Sequence, residues 1–274
     1  MEILEITSFE RYEKFIFELA DDPLYYDPHF AYDKENLYAA PGKKDKFAFA
    51  VLEDDSIRGV FVWLIIPDEK YIEMLIGFTK SREAFSAMLL YLEREFSDYK
   101  ADFVINPKNT VLCEVLKTKG AVFEVERQNM IFTGILPDIS TNNIEQYTEK
   151  WKKQYCEMHR KDTYWTAERI ISASDRFRAL LVIEDDQVQG YLDVTYSFNK
   201  NEIYDLFVKP ELSYRGYESA LRAKKLLAKA IELNGSHQMT VFVSVDASEE
   251  IGLYTAVGFE KAEGQNSLYA SYKL

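Results

Sequence analysis

The sequence predicts a mixed α/β protein made of two tandem domains, each a mixed, mostly antiparallel sheet flanked by helices. Three observations carry this reading. A long segment recurs within the chain, it is written in strand and hairpin signals, and each copy is followed by the same order of helix and strand.

The first copy, AFAVLEDDSIRGVFVWLIIPDEKYIEMLIGF, begins at Ala48; the second, ALLVIEDDQVQGYLDVTYSFNKNEIYDLFVK, begins at Ala179. Ala48 aligns with Ala179, Val51 with Val182, Glu53-Asp54-Asp55 with Glu184-Asp185-Asp186, and Gly59 with Gly190. Continued without a gap, the alignment sets Ile72 and Leu75 against Ile203 and Leu206. β-branched and aromatic residues alternate through both copies and the Asp-Asp pairs mark hairpin turns, so each copy reads as three strands. SREAFSAMLLYLEREF and SALRAKKLLAKAIELNG follow with apolar residues at helical spacing, and Gly235 is placed to end the second helix. Next come the strands ADFVINP and QMTVFVSVD, then the short helices in VLCEVLKTKGAVFE and EIGLYTAVGFE. NMIFTGI and SLYASYKL are expected to close their own halves. Two further helical patterns, IEQYTEKWKKQYCEMH and TAERIISASDRF, precede the second β segment. Pro, Ser, Thr and Asn cluster between Leu136 and Asn142. This sets the domains at 1–136 and 137–274, a domain-sized period rather than a solenoid.

With 274 residues and 47% hydrophobic composition, the chain has ample material for two cores. A net charge of −13 argues against a nucleic-acid footprint and against an anionic membrane surface. Cys113 and Cys156 stand in unlike contexts, so no disulfide scaffold is expected. His29, His159 and His237 lack metal-ligand spacing, and no metal is expected. The charged N-terminal stretch and the lack of a membrane-length apolar run point to a cytoplasmic protein. A homodimer is compatible with the sequence.

One stretch invites a ligand. VKPELSYRGYESALRAKK, Val208 to Lys225, reads as a strand end, a polar loop and a helix start. A helix start offers unsatisfied N–H groups and partial positive charge to a phosphate, and small residues let the backbone approach it. Gly216 meets that need, and Lys209, Arg215, Arg222, Lys224 and Lys225 concentrate positive charge in an acidic chain. Of these, Arg222 and Lys225 share a reach toward the phosphates. Glu218 has two readings: its carboxylate points outward from the first turn, or it meets the phosphates and repels them.

The second half resembles the GNAT superfamily of acyl-CoA-dependent N-acetyltransferases. The resemblance rests on IYDLFVKPELSYRGYESAL, on VFVSVDAS, and on LYTAVGF from Leu253 to Phe259, and spans roughly Ala179 to the C-terminus. The first half keeps the order of elements, but GFTKSREAFSAML has no Pro, and Leu116 stands where the second half has Tyr254. It resembles a GNAT fold without its acyl-CoA loop. The resemblance implies acetyl-CoA as cosubstrate. Leu206, Phe207 and Val208 would pair with the pantetheine arm, and Ser213, Tyr214, Arg215, Gly216, Tyr217, Glu218 and Ser219 would hold the pyrophosphate. Asp246 and Ser248 follow the next strand, where Ala247 stands at or near a slot that the family often fills with Asn.

The implied reaction is direct attack of a primary amine, on a small molecule or a peptide, upon the thioester. Tyr254 is the candidate proton donor to the leaving thiolate. The acceptor must lose a proton, and Asp205 is the first candidate base because an acid on an apolar strand gains basicity if buried. Tyr204, Glu202 and Asp193 are alternatives. Strict alternation puts Asp205 on one face with Ile203 and Phe207, and Tyr204 on the other with Leu206. Cys156 and His159, three apart, are a thiol–base pair or simply part of a half-buried helix; the latter is the commoner arrangement. The acidic surface favours a cationic acceptor. A catalytically inactive acyl-CoA sensor or interaction module, and a transferase of larger acyl groups, remain as alternatives.

Overall fold

Each repeat turns at two aspartates in the left-handed region: φ is 48° and 60° at Asp54 and Asp55, and 50° and 56° at Asp185 and Asp186. Consecutive positive φ values make a type I′ turn, whose twist matches the strands it joins, and Asp is among the few side chains that tolerate it. The structure, a computed structural model, describes residues 1–209 and 216–274. It divides into two compact units, residues 1–127 with 263–274, and residues 128–262.

Strand β1 (Glu2–Ile6) leads into helices α1 (Glu13–Ala20), α2 (Pro28–Tyr32) and α3 (Lys34–Tyr38). The first repeat forms β2 (Lys46–Glu53), β3 (Ser56–Ile66) and β4 (Tyr71–Thr79), followed by α4 (Arg82–Glu95), β5 (Lys100–Ile105), α5 (Thr110–Thr118) and β6 (Val122–Phe123). Then come β7 (Arg127–Phe132), β8 (Ile144–Gln146), α6 (Lys152–Met158) and α7 (Ala167–Ser172). The second repeat forms β9 (Phe177–Glu184), β10 (Gln187–Thr195) and β11 (Lys200–Val208), followed by α8 (Tyr217–Asn234), β12 (Gln238–Ser244), α9 (Ser248–Ala256), β13 (Phe259–Lys261) and β14 (Leu268–Lys273).

The sheets run β1-β2-β3-β4-β5-β14-β6 and β13-β7-β12-β11-β10-β9-β8. Each is mostly antiparallel and contains a parallel pair, β4 with β5 or β11 with β12. The closing strands are exchanged. A division at 136/137 keeps each with the half that precedes it, but the NMIF of NMIFTGI lies in β7, inside the second unit's sheet, and the LYASYK of SLYASYKL forms β14 in the first. β14 pairs with β5 from Leu268↔Ile105 to Lys273↔Lys100. Ala270 and Met130 are fully buried in the adopted units. Both segments are short strand-forming runs, so local propensity does not distinguish the two slots.

Two smaller differences follow from tertiary context. IEQ, expected as helix, is edge strand β8 paired to β9, which satisfies its backbone and buries Ile144. The repeat also carries a length change. Val62 faces Ile76 and Asp193 faces Asp205, so Asp205 matches Ile76, not Met74. The first copy accommodates two more residues in its β3–β4 hairpin, around the 3-10 turn Pro67–Glu69.

Helices cover both faces of each sheet. α4 and α5 pack on one face of the first unit and the α1–α3 segment on the other; α8 and α9 face α6 and α7 across the second. Ser81 caps α4 by accepting from the Ala84 N–H at 3.1 Å. α8 buries Ala223, Leu226, Leu227, Ala230 and Ile231 along one stripe and ends at Gly235 with φ 62°. Each of its fully buried leucines contributes about 1.5–3 kcal/mol, and Leu227→Ala should cost about 2–5 kcal/mol. Among the described residues no helix is long and apolar enough to cross a membrane.

Candidate functional site

The parallel register of β11 and β12 ends at Ile203↔Val241, although β11 runs on to Val208 and β12 to Ser244. The parting begins at a β-bulge. Asp193 faces Asp205 and Val194 faces Ile203, leaving Tyr204 as the extra residue. A bulge kinks the strand and re-aims its side chains. β11 keeps its other edge on β10 through Leu192↔Leu206, Tyr191↔Phe207 and Gly190↔Val208. The strands therefore present an opening whose edges suit an extended amide ligand. Leu206, Phe207 and Val208 lie along it. Gly190 is obligatory beside it, because a Cβ there would lie 2.6 Å from the Phe207 carbonyl oxygen.

The bulge also revises the strand faces. Ile203 and Leu206 both enter the α8 core, and Phe207 packs on the α6–α7 side. Tyr204 meets Trp165 and Phe177 edge-on at 6.2 and 5.6 Å, also on that side. Asp205 thus shares its face with Tyr204 and Phe207, not with Ile203; alternation fails where one residue is added.

At the start of α8, Gly216 occupies the cap position with φ −80° and ψ 140°, and no side chain caps the helix. Ser219 is buried and donates its hydroxyl to the Gly216 carbonyl at 3.0 Å. Tyr217 and Glu218 are exposed in the first turn. Ser213, Tyr214 and Arg215 lie outside the described residues. Arg222 and Lys225, expected at phosphates, are held by the protein. Arg222 bonds Glu184 through Nε at 3.1 Å and Nη2 at 2.5 Å and donates Nη1 to the Lys209 carbonyl at 2.7 Å. Lys225 donates to Asn143 at 3.1 Å. Beyond β12, Asp246 accepts from the Ser244 hydroxyl at 2.7 Å, and exposed Ser248 begins α9 with Ala247 at the cap.

A polar cluster that the sequence reading did not assemble lies on the α6–α7 face. Asp193, 1% exposed, accepts from the Tyr155 hydroxyl at 2.8 Å and meets His159 Nε2 at 2.8 Å. His159 Nδ1 faces the Arg160 carbonyl at 2.8 Å. Both ring nitrogens face acceptors, the arrangement of an imidazolium. Burial presses the His159 pKa down, but the hydrogen bond and charge of Asp193 outweigh it, and the group stands above the ordinary imidazole value. Burial likewise pushes Asp193 above the carboxylate range, against the pull of His159 and Tyr155. The two donors on Asp193 and the two acceptors on His159 favour the ion pair.

Tyr191 links this pair to Asp205. Its ring stacks on His159 at 4.7 Å, its hydroxyl donates to Asp205 Oδ2 at 2.7 Å and accepts from the Arg160 N–H at 3.2 Å. Asp205 Oδ1 accepts from the Leu206 N–H at 3.0 Å and lies 3.6 Å from Arg160 Nη1. Half-buried beside the bulge, Asp205 has geometry suited to holding a cation or taking a proton. Glu202 and Tyr204 share β11 with it; Tyr204 is 43% exposed. Cys156 is half-buried, and its neighbour His159 is committed to Asp193, so no thiol–base pair forms there. Tyr254 lies in the α8–α9 core, 1% exposed and edge-on to Phe259 at 5.4 Å. Among the described residues, no cluster of His, Cys, Asp and Glu could hold a metal ion.

Two such sheets, each with a parted parallel pair behind a bulge and helices on both faces, define a tandem GNAT fold. Solved structures agree. The chain is similar to a GCN5-related N-acetyltransferase from Sphaerobacter thermophilus (TM-score 0.61, 12% identity, 88% of this chain and 85% of that one). It is also similar to a tandem GNAT protein from the clavulanic acid biosynthesis pathway (TM-score 0.55, 9% identity, 99% and 98% covered). A GNAT-family acetyltransferase from Colwellia psychrerythraea matches over both full lengths, with a TM-score of 0.54 and 11% identity. No family model matches the chain, and no curated protein matches it. At these identities the likeness establishes the fold.

Proposed function

We propose that the second unit is an N-acetyltransferase, moving an acetyl group from acetyl-CoA to a primary amine of a small molecule or peptide. The observation that carries this is the bulge at Tyr204, which parts β11 from β12 and sets Asp205, held by Tyr191, at the opening. The residues fit the cosubstrate: Leu206, Phe207 and Val208 line the opening for an amide arm, and the start of α8 offers N–H groups beside Gly216 for a pyrophosphate. Asp246 and Ser248 stand at the far strand's end. Ser213, Tyr214 and Arg215 are assigned to the pyrophosphate on the resemblance alone, as are Tyr217, Glu218 and Ser219.

In this reading the acceptor nitrogen attacks the thioester carbonyl, a C–N bond forms and the C–S bond breaks. The nitrogen's proton passes to Asp205, and Tyr254 gives a proton to the departing thiolate. Asp205 beside an acidic surface favours an acceptor that arrives as a cation and gives one proton to solvent to become the neutral amine before it attacks. The test is calorimetric titration with acetyl-CoA and CoA, then assay over an amine panel. Asp205→Asn should lower turnover about 10²–10⁴-fold with acetyl-CoA affinity kept. Tyr254→Phe should lower turnover at similar affinity, and an unchanged rate removes Tyr254 from the chemistry. Absence of binding at millimolar ligand ends the transferase reading.

A second reading, a catalytically inactive acyl-CoA sensor or interaction module, is favoured by the engagement of Arg222 with Glu184 and by the depth of Tyr254 in the core. Binding without turnover on any amine would select it.

A further inference from the structure

β4 and β5 of the first unit part as β11 and β12 do. Their parallel register ends at Met74↔Phe103, behind a bulge whose extra residue is Leu75. Here the parting is bridged by the chain itself. Asp27, 3% exposed, caps α2 by accepting from the Phe30 N–H through Oδ1 at 2.9 Å. Its Oδ2 accepts from the Gly77 N–H at 3.0 Å, on β4 beyond the bulge. Four residues earlier, the Pro23 carbonyl accepts from the Asn106 side-chain amide at 3.1 Å, just past the end of β5. One segment thus places an acceptor oxygen on each parted strand. Lys80 fastens it again at the end of β4, 3.3 Å from Asp22 and 5.0 Å from the centre of the Tyr25 ring.

Capping a helix needs one carboxylate oxygen. The second has reason to leave water only if it gains a donor, and that donor is the amide of Gly77. Gly77 occupies the register position of Leu206. In the second unit the corresponding connection, between α6 and α7, bonds instead to β10 and to Asp205 through His159 and Arg160, and the Leu206 N–H donates to Asp205 of its own strand rather than to that connection.

We infer that Pro23–Asp27 is a built-in occupant of the first unit's strand gap, standing where the carbonyls of an extended amide ligand would stand, and that the chain takes up acyl-CoA at the second unit's gap alone. The second clause rests on the acyltransferase reading; the first does not. Two measurements separate them. Amide exchange at Gly77, followed by NMR, is compared between the native chain and Asp27→Ser, which keeps a cap for α2 but is too short to reach Gly77. Exchange at Gly77 should quicken at least tenfold while Val62 and Phe103 stay protected; equal exchange overturns the occupant. CoA titration should give one equivalent per chain, lost on Gly216→Glu. Two equivalents, or one that survives Gly216→Glu, overturn the single-gap count. No binding overturns that count together with the transferase reading, and the exchange experiment still decides what fills the first gap.

Discussion

The two units share a framework down to its irregularities and differ in what they bury. Both have an Asp-Asp turn, a bulge one residue before the glycine of the middle strand, and a second bulge where the parallel pair parts. On the face beneath the first helices, the first unit presents Val60, Val62, Ile76 and Phe78, all within an apolar core. The same four positions in the second unit are Tyr191, Asp193, Asp205 and Phe207. The framework needs no charge on this face, since the first unit is built without it. Buried ion pairs seldom add stability over well-packed apolar groups of the same size. The framework therefore does not require the cluster in the second unit, and the acyltransferase reading proposed above is what would give it a task.

The largest test concerns the borrowed strand. Removing residues 263–274 strips β14 from β5 and should abolish cooperative unfolding of the first unit, while the calorimetric transition of the second persists. Loss of both transitions would mean that the units are not separately stable. Next is Asp193→Val, which gives the second unit the residue of the first but strands His159 and Tyr155; urea unfolding should show a loss of about 3–5 kcal/mol. Adding His159→Leu should recover most of it, and Val62→Asp should damage the first unit at least as much as Asp193→Val damages the second.

The units should also differ in pH response. Burial raises Asp27 from 3.8 to about 6, so its contribution is full below 3.8 and lost as pH rises through about 6. The first unit should weaken across that window by about 3 kcal/mol. His159 is raised from 6.5, so its contribution is full below 6.5 and lost as pH climbs through its elevated value. The second unit should then weaken on the alkaline side, and Asp193→Val with His159→Leu should erase that slope. The smallest effect is at the rim: Glu184→Gln, breaking the partly exposed pair with Arg222, should cost about 0–1 kcal/mol.

Much of the framework was legible. The Asp-Asp turns, α4 from Ser81, and α8 ending at Gly235 follow from local rules of φ, capping and periodicity. What escaped depends on distant partners. Alternation assigned Ile203 to the face of Asp205 because one inserted residue, Tyr204, reverses parity and leaves no mark in composition. The ungapped alignment set Asp205 two positions off, since β3–β4 absorbs its extra residues in a turn. Spacing sets His159 beside Cys156, three residues away, but its partner Asp193 lies on another element. A signal existed there: the repeat itself sets Asp193 against Val62 and Tyr191 against Val60, polar for apolar at buried positions. Asp205 stands out in the sequence as an acid on an apolar strand, but its contacts with Tyr191 and Arg160 are not written in spacing.

The exchanged strand fixes an order of completion during synthesis. The second unit has all its strands once residue 261 has emerged, because β7 precedes everything else in it. The first unit, begun at residue 2, has an empty slot beside β5 until residue 273 is made. The half that starts first therefore finishes last. Its sheet lacks a strand throughout the translation of its neighbour, and gains it only once β14, Leu268–Lys273, has been made.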